Sequence, residues 1–596
     1  MMRVADYIVQ KLAEHGIKDV FMVTGGAAMH LNDAFGRSSA MKVTCCHHEQ
    51  ACAMAAESYF RLTNRLAAVN VTAGPGAINA LNGVYGAHVD SMGMIVISGQ
   101  AKWETLVRST DLPLRQLGDQ EVDIVQMVQG ITKYAVVIQD SKTIRYHLER
   151  ALYLASHGRP GPVWLDVPIN VQGTMINLDQ LQAYDPQEDQ IHFETKNLKE
   201  AIQNIVHELS LAKRPVIYAG TGIRLSEQYE VFLKLIDYLK IPVVTAWNSN
   251  DLLADDHSCY AGRPGSLGNR AGNFTVQNAD FVLVLGCRLN IRLISYNWES
   301  FAKDATIAMV DIDAAELKKP TLKIDIPVHA DLREALPLLL RLSGGWKPHH
   351  EEWLAWCRER LQLYPVVTSK MREDHNNVNP YYFIEQLFQQ LKANDVIVCG
   401  DGTACVTAFQ AATIKKGQRL FHNSGCASMG YDLPAAIGAA LACPDRECII
   451  CIAGDGSIMM NLQELQTIMH HNLPMKIFVF NNRGYHSIRQ TQNNFFVDNI
   501  VGCGTESGLS FPDFEKIAEA FGMSYQKLED HANVSKIIIE VLAQPGAVMT
   551  EVILNLDQAF EPKLSSKKLE DGSMITASLE DMAPFLSREE LEKNRF

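Results

Sequence analysis

Near residue 450 the chain reads Cys448-Ile-Ile-Cys-Ile-Ala-Gly454-Asp455-Gly456-Ser457, an apolar strand that ends in a Gly-Asp-Gly turn. A helix and a second strand lead on to Phe480-Asn481-Asn482, and Asn482 follows Asp455 by 27 positions (482 − 455). By itself Gly-Asp-Gly is a common turn. The strand before it and the paired asparagine after it give it chemical meaning. In a βαβ unit both residues stand where parallel strands end, the edge at which such sheets bind ligands. A carboxylate, a carboxamide oxygen and a backbone carbonyl make a hard oxygen set suited to Mg²⁺ bridged to phosphate. The flanking Gly456 and Ser457 let backbone amides approach a diphosphate at a helix start.

This strand, turn and spacing resemble the signature of the thiamine-diphosphate (ThDP) enzyme superfamily, GDG followed by NN. The likeness implies that Asp455, the side chain of Asn482 and the backbone carbonyl of Gly484 hold the metal. It also gives a role to Glu49, which Cys46-His47-His48-Glu49-Gln50 delivers to the start of a small-residue helix after a strand at residues 42–46. A glutamate there would ordinarily be a favourable partner of the helix dipole. In ThDP enzymes a carboxylate hydrogen-bonds the aminopyrimidine ring and drives its imino tautomer, while the carbanion chemistry belongs to the cofactor. Glu49 is the expected activator. Desolvation against an apolar ring favours such proton sharing.

Further pieces are similar to the acetolactate-synthase-like branch over nearly the whole chain. Phe21-Met-Val-Thr-Gly25-Gly26-Ala27 matches the loop beside the pyrimidine, and Thr72-Ala-Gly-Pro75-Gly-Ala-Ile-Asn79 matches the family's T-S-G-P-G-A-T-N turn. Gln120 joins the implied cofactor contacts. In Gly425-Cys-Ala427-Ser-Met429-Gly430, the likeness makes the Ala427 carbonyl an acceptor from the aminopyrimidine and Met429 the wedge that bends the cofactor. Thr403 and Ala404, in Gly400-Asp-Gly-Thr-Ala, would meet the diphosphate opposite Gly456 and Ser457. Because the glutamate and the diphosphate site come from different subunits in this superfamily, a homodimer or homotetramer is expected, with sites at the interface. The middle of the chain resembles this branch's flavin-binding domain, implying a structural FAD near Gly222, Arg288, Asn290, Asp311 and Asp331. Asn290 and Ile291 depart from two aspartates typical there.

Short Val/Ile-rich strands separated by amphipathic helices must position these residues. Examples are 66–72, 94–98, 215–219, 281–285, 395–399 and 476–480. Strands without polar alternation indicate parallel sheets covered on both faces. The fold class expected is α/β, with three doubly wound parallel-sheet domains plus a C-terminal arm. The expected bounds are a pyrimidine-binding domain at 1–175, a central domain at 196–345, a diphosphate- and Mg-binding domain at 375–560 and the arm at 561–596. Polar residues 172–195 read as a linker, with a second break at 343–348 and an exposed-looking stretch at 372–377.

Composition narrows the partners. A net charge of −14, spread along the chain, gives no reason to expect nucleic acid or a membrane surface. The first residues read as an amphipathic helix with a stripe at Val4, Ile8 and Leu12, not as a signal peptide. Thirteen cysteines, scattered through core-like segments, fit a reducing cytoplasm. Cys448 and Cys451 have redox spacing, but three residues apart on a strand they face opposite sides.

The reaction implied is decarboxylation of a 2-oxo acid, pyruvate first among candidates, with transfer of the two-carbon unit to a carbonyl acceptor. Three acceptor-shaping positions differ from acetolactate synthases: Ile169 for lysine, Asp119 for phenylalanine and Thr491 for tryptophan. The wall becomes smaller and more polar, which alters the acceptor that can be desolvated. A ketosugar acceptor is the alternative, since 114–125 and 565–574 loosely resemble proteins linked to branched-sugar synthesis. A flavin-dependent oxidoreductase is the rival class, but it has no need of Glu49, Asp455 and Asn482 together.

Overall fold

A computed structural model describes residues 1–374, 376–496, 499–568 and 574–596. Parts of the 372–377 and 565–574 stretches therefore lie outside the described residues. Three separate parallel sheets form, each flanked by helices. The first has six strands in the spatial order Lys42–Cys45, Asp19–Met22, Ala68–Val71, Met94–Gln100, Pro162–Pro168, Tyr134–Val137. The second has five: Val243–Thr245, Pro215–Ala219, Phe281–Leu285, Thr306–Asp311, Ile326–His329. The third has six: Arg419–Phe421, Val396–Cys399, Ile449–Gly454, Met475–Asn481, Val548–Ile553, Ser524–Leu528. This is the expected α/β class with three sheet domains.

The strands are apolar on both faces because both faces are covered. Along Ile449–Gly454, Ile449, Cys451 and Ala453 enter one core while Ile450 and Ile452 enter the other. Cys448 packs on the second core and Cys451 in the first, so their thiols diverge and both are free. The first helix, Val4–Glu14, buries Val4, Ile8 and Leu12 completely. Among the described residues no helix is long and apolar enough to cross a membrane.

The stretch after the first sheet is mostly irregular, though Met175–Ile176 pairs antiparallel with Met2–Arg3. The 343–348 break is anchored, since the Trp346 indole N–H donates to the Leu239 carbonyl at 3.0 Å. The C-terminal residues dock on the helix Arg270–Gln277: Asn273 donates to the Leu579 carbonyl at 2.9 Å, and Leu579 and Met582 are fully buried.

In each sheet the chain reverses direction between the second and third strands in space. In the first sheet this reversal lies between Asp19–Met22 and Ala68–Val71, in the second between Pro215–Ala219 and Phe281–Leu285, in the third between Val396–Cys399 and Ile449–Gly454. Loops leaving adjacent strands on opposite sides open a crevice at such a point. The site residues cluster at these three crevices.

Candidate active site

At the third crevice Asp455 begins a helical turn, buried, directly after its strand. Its carboxylate accepts from the amides of Gly456 at 2.8 Å and Gly484 at 2.9 Å. Burial pushes its pKa up from 3.8 to about 7, against the downward pull of those amides. Asn482 is also buried, and its side-chain N–H donates to the Thr403 hydroxyl at 3.0 Å. Its carboxamide oxygen has no partner. An unpartnered buried oxygen is costly, and here it lies in the strand-end cluster with a buried carboxylate. A hard divalent cation fits this donor set because it would satisfy the amide oxygen and relieve the desolvated carboxylate.

Three glycines make room at the same edge. Gly402 has φ +93° before the helix Thr403–Ala411, and a Cβ on Gly456 would stand 2.1 Å from the Tyr485 ring. A Cβ on Gly400 would lie 2.4 Å from an Asp432 oxygen. Thr403 reaches Asn482 as described. Ala404 turns its methyl into the apolar core, so only its backbone is available to a ligand. The Ser457 hydroxyl is committed within the protein, donating to Asp432 at 2.5 Å and accepting the Gly430 amide at 2.8 Å. That serine therefore braces the Ala427–Gly430 loop. Ala427 has φ +58° and Met429 is partly exposed.

At the first crevice Glu49 opens the helix Glu49–Thr63, which His48 caps by accepting the Gln50 amide at 3.1 Å. Glu49 is largely buried, and Asn79 donates to one of its oxygens at 3.0 Å. A Cβ on Gly76 would come within 3.1 Å of the other. Gly25, which precedes Gly26, faces Thr72 so closely that a Cβ would stand 2.5 Å away. Pro75 starts a short helix, and Gly74 takes φ +61° against the Gln120 carbonyl. Gln120 itself has φ +57°. Glu49, Gly25, Gly26, Pro75, Asn79 and Gln120 thus share one edge. Asn79, one of the expected cofactor contacts, meets Glu49 at this edge.

The second crevice opens into a recess lined by Gly222, Gly286, Arg159, Arg288, Asp311 and Asp331 among others. Burial raises the Asp311 pKa to about 6. Arg288 lies 3.9 Å from Glu316, which Arg159 approaches to 3.1 Å. Four of the five expected flavin contacts line this recess. Asn290 does not: it precedes the short helix Ile291–Ile294, its side-chain oxygen buried without a partner. Sequence reasoning missed Asp90 and Asn248, which reach the same recess from the first and second domains; no local motif marks them. The Arg292 guanidinium lies over the Trp247 ring at 4.8 Å. Burial raises the Asp401 carboxyl above its ordinary range, and that cation partly offsets the rise.

Comparison with known proteins agrees with this layout. Residues 2–127 match the thiamine pyrophosphate enzyme N-terminal TPP binding domain, 202–339 the central domain, and 400–552 the C-terminal TPP binding domain. The acetolactate synthase large subunit of Lactococcus lactis subsp. lactis is 30% identical over 560 residues, covering 94% of this chain and 93% of that one. The Escherichia coli acetolactate synthase isozyme 3 large subunit is 30% identical over 532 residues, 88% of this chain and 89% of its own. Acetolactate synthase 1, chloroplastic, of Nicotiana tabacum is 30% identical over 577 residues, 94% and 83%. The matched domains coincide with the crevices that carry Glu49, the recess and Asp455, and the chain belongs to the thiamine-diphosphate-dependent enzymes of the acetolactate synthase type.

Proposed function

We propose that the protein uses ThDP and Mg²⁺ to decarboxylate a 2-oxo acid, pyruvate first, and joins the two-carbon unit to a carbonyl acceptor. The observation that carries the metal is the buried, unpartnered Asn482 oxygen in one cluster with Asp455. When bound, ThDP supplies the carbon nucleophile that makes loss of carbon dioxide feasible. The chain does the rest. Asp455, Asn482 and the Gly484 carbonyl would hold the metal, and the backbone at Thr403, Ala404, Gly456 and Ser457 would face the diphosphate. Glu49, oriented by Asn79, would hold or move a proton at the aminopyrimidine. Ala427 and Met429 would seat that ring.

Glu49 has its side-chain hydrogen bond to Asn79 of its own domain. Large apolar side chains stand exposed on both ThDP domains, Ile78 and Tyr85 on one, Met460, Ile488 and Phe496 on the other. These exposed surfaces support a homodimer or larger homo-oligomer in which a second chain completes each site. The recess of the central domain, with its glycines, buried Asp311 and paired arginines, suits a nucleotide, and FAD is the one the likeness implies. The flavin would be structural, since the overall conversion has no net redox step.

A second reading concerns the acceptor. Thr491 is exposed on the helix His486–Phe495, its hydroxyl bonded back to the Ser487 carbonyl at 3.0 Å, and Asp119 is exposed as well. Small polar groups at these positions favour a hydroxyl-rich acceptor such as a ketosugar over a second small 2-oxo acid. Glu49→Gln tests the main reading. We expect an intact fold and a sharp loss of carbon dioxide release from pyruvate; undiminished decarboxylation would overturn the ThDP assignment.

A further inference from the structure

The two ThDP domains meet through two helices of small residues. Glu49–Thr63 carries Ala51, Ala53, Ala55 and Ala56; Asp432–Ala442 carries Ala435, Ala436, Gly438 and Ala439. A Cβ on Gly438 would stand 2.1 Å from the Ala55 carbonyl oxygen, so only glycine allows this approach. Ser58 donates to the Ala435 carbonyl at 2.7 Å. The pairs 55–438 and 58–435 show that the helices run in opposite directions. Each helix is preceded by, or starts on, a piece of the candidate site: Glu49 opens the first, and Ala427–Gly430 leads into the second.

Within this contact lies a buried polar cluster that the chemistry described so far does not use. The Tyr431 hydroxyl, two residues after Met429, donates to one Glu57 oxygen. The other Glu57 oxygen accepts from Arg61, whose Nε is 3.0 Å away. Arg61 Nη2 also donates to Asp90 at 2.9 Å, and Asp90 accepts Asn248 of the central domain at 2.9 Å. Glu57, Arg61, Asp90 and Tyr431 are all buried. A charged pair in this setting is weak evidence for stability, because desolvation offsets much of the attraction. Its geometric effect is definite: the acceptors and donors fix one relative placement of the two helices.

We propose that Tyr431 and Glu57 are positioning residues for the ThDP site, holding the Ala427–Met429 loop in fixed relation to the helix that presents Glu49. The proposal rests on the ThDP reading above. Eight residues of helix separate Glu49 from Glu57 (57 − 49), about 12 Å at 1.5 Å per residue, so a tilt at one end is carried to the other. On the loop side the lever is shorter. Tyr431 follows Gly430, whose amide is bonded to Ser457 and whose carbonyl accepts Asn461 at 2.7 Å. The loop is thus tied to the diphosphate crevice on one side and to Glu57 on the other. In the dimer proposed above, Glu49 and Met429 of one chain serve opposite sites, and this pair couples their placement.

The test uses the full-length protein with ThDP and Mg²⁺. Tyr431→Phe and Glu57→Gln are compared with the parent and with Glu49→Gln. The readouts are kcat per cofactor-loaded site, KM for pyruvate and the near-ultraviolet circular dichroism of bound cofactor. Positioning predicts that Tyr431→Phe lowers kcat about tenfold, the scale of one lost charge-assisted hydrogen bond, with KM within about twofold. The cofactor's dichroism shifts in the same direction as in Glu49→Gln. The double variant falls no further than Glu57→Gln alone, since Glu57→Gln disturbs the Tyr431 contact and the Arg61 contact together. If Tyr431→Phe does not fold, Glu57→Gln carries the same expectations. An unchanged kcat per loaded site in Tyr431→Phe, whatever its thermal midpoint, overturns the proposal while Glu49→Gln is inactive. If Glu49→Gln is fully active, the ThDP reading fails and this proposal falls with it.

Discussion

The central and C-terminal domains present the same architecture to a ligand: a parallel sheet, a chain reversal, glycines at the strand ends and a buried aspartate after a strand. Asp455 and Asp311 are both pushed up by burial, to about 7 and about 6. Their companions differ. Asp455 is met by backbone amides and lies in a cluster with a carboxamide oxygen that has no partner. Asp311 faces a recess bounded by Arg159 and Arg288. On the reading proposed above, the first edge takes a cation and a diphosphate, and the second a nucleotide. Shared topology places a site, and the donor set decides what it takes.

Substitutions can break this contrast, and the largest effect is expected where the ligand set is smallest. Asp455→Ala should weaken metal-dependent ThDP binding by more than about a hundredfold in calorimetry, beyond the loss seen when supporting residues of metal sites are changed. Equal ThDP affinity with and without Mg²⁺ in the parent would remove the metal from this edge. Gly456→Ala should weaken ThDP binding about tenfold, because the added methyl meets the Tyr485 ring and forces a local shift. Unaltered binding would show that the ring moves aside freely.

Part of this was legible in the chain. Asp455 and Asn482 are carried by consecutive strands of one βαβ unit, so their spacing alone brings them together. The strand at Phe281–Leu285 was bounded correctly because turn residues flank a purely apolar run. Long-range pairings left no local mark. Tyr431 and Glu57 are 374 positions apart, and the Asp90 wall of the recess is contributed by the first domain to a site in the second. The committed hydroxyl of Ser457 was equally invisible, since its partner Asp432 belongs to a different helix.

The Asp311 edge gives a smaller, pH-dependent effect. Its folded pKa, about 6, lies above the ordinary 3.8, so the carboxyl favours folding when protonated. That contribution is present below about pH 4 and is lost as pH rises through 6. Asp311→Asn removes the titration, so its thermal midpoint relative to the parent should rise by a few degrees between pH 4 and 7. A constant difference across that window would mean that Asp311 is ionised throughout. Thr491→Trp should have the smallest effect, a few-fold shift of products toward small 2-oxo acid acceptors. Mass spectrometry showing an identical product profile would place Thr491 outside the acceptor wall.

The most direct measurement is carbon dioxide release from pyruvate by the purified protein, with ThDP and Mg²⁺ added singly, together and after chelation. Release that needs both and stops on chelation is the predicted result. Release that persists without ThDP or after complete metal removal would contradict the assignment of Glu49, Asp455 and Asn482 to one cofactor.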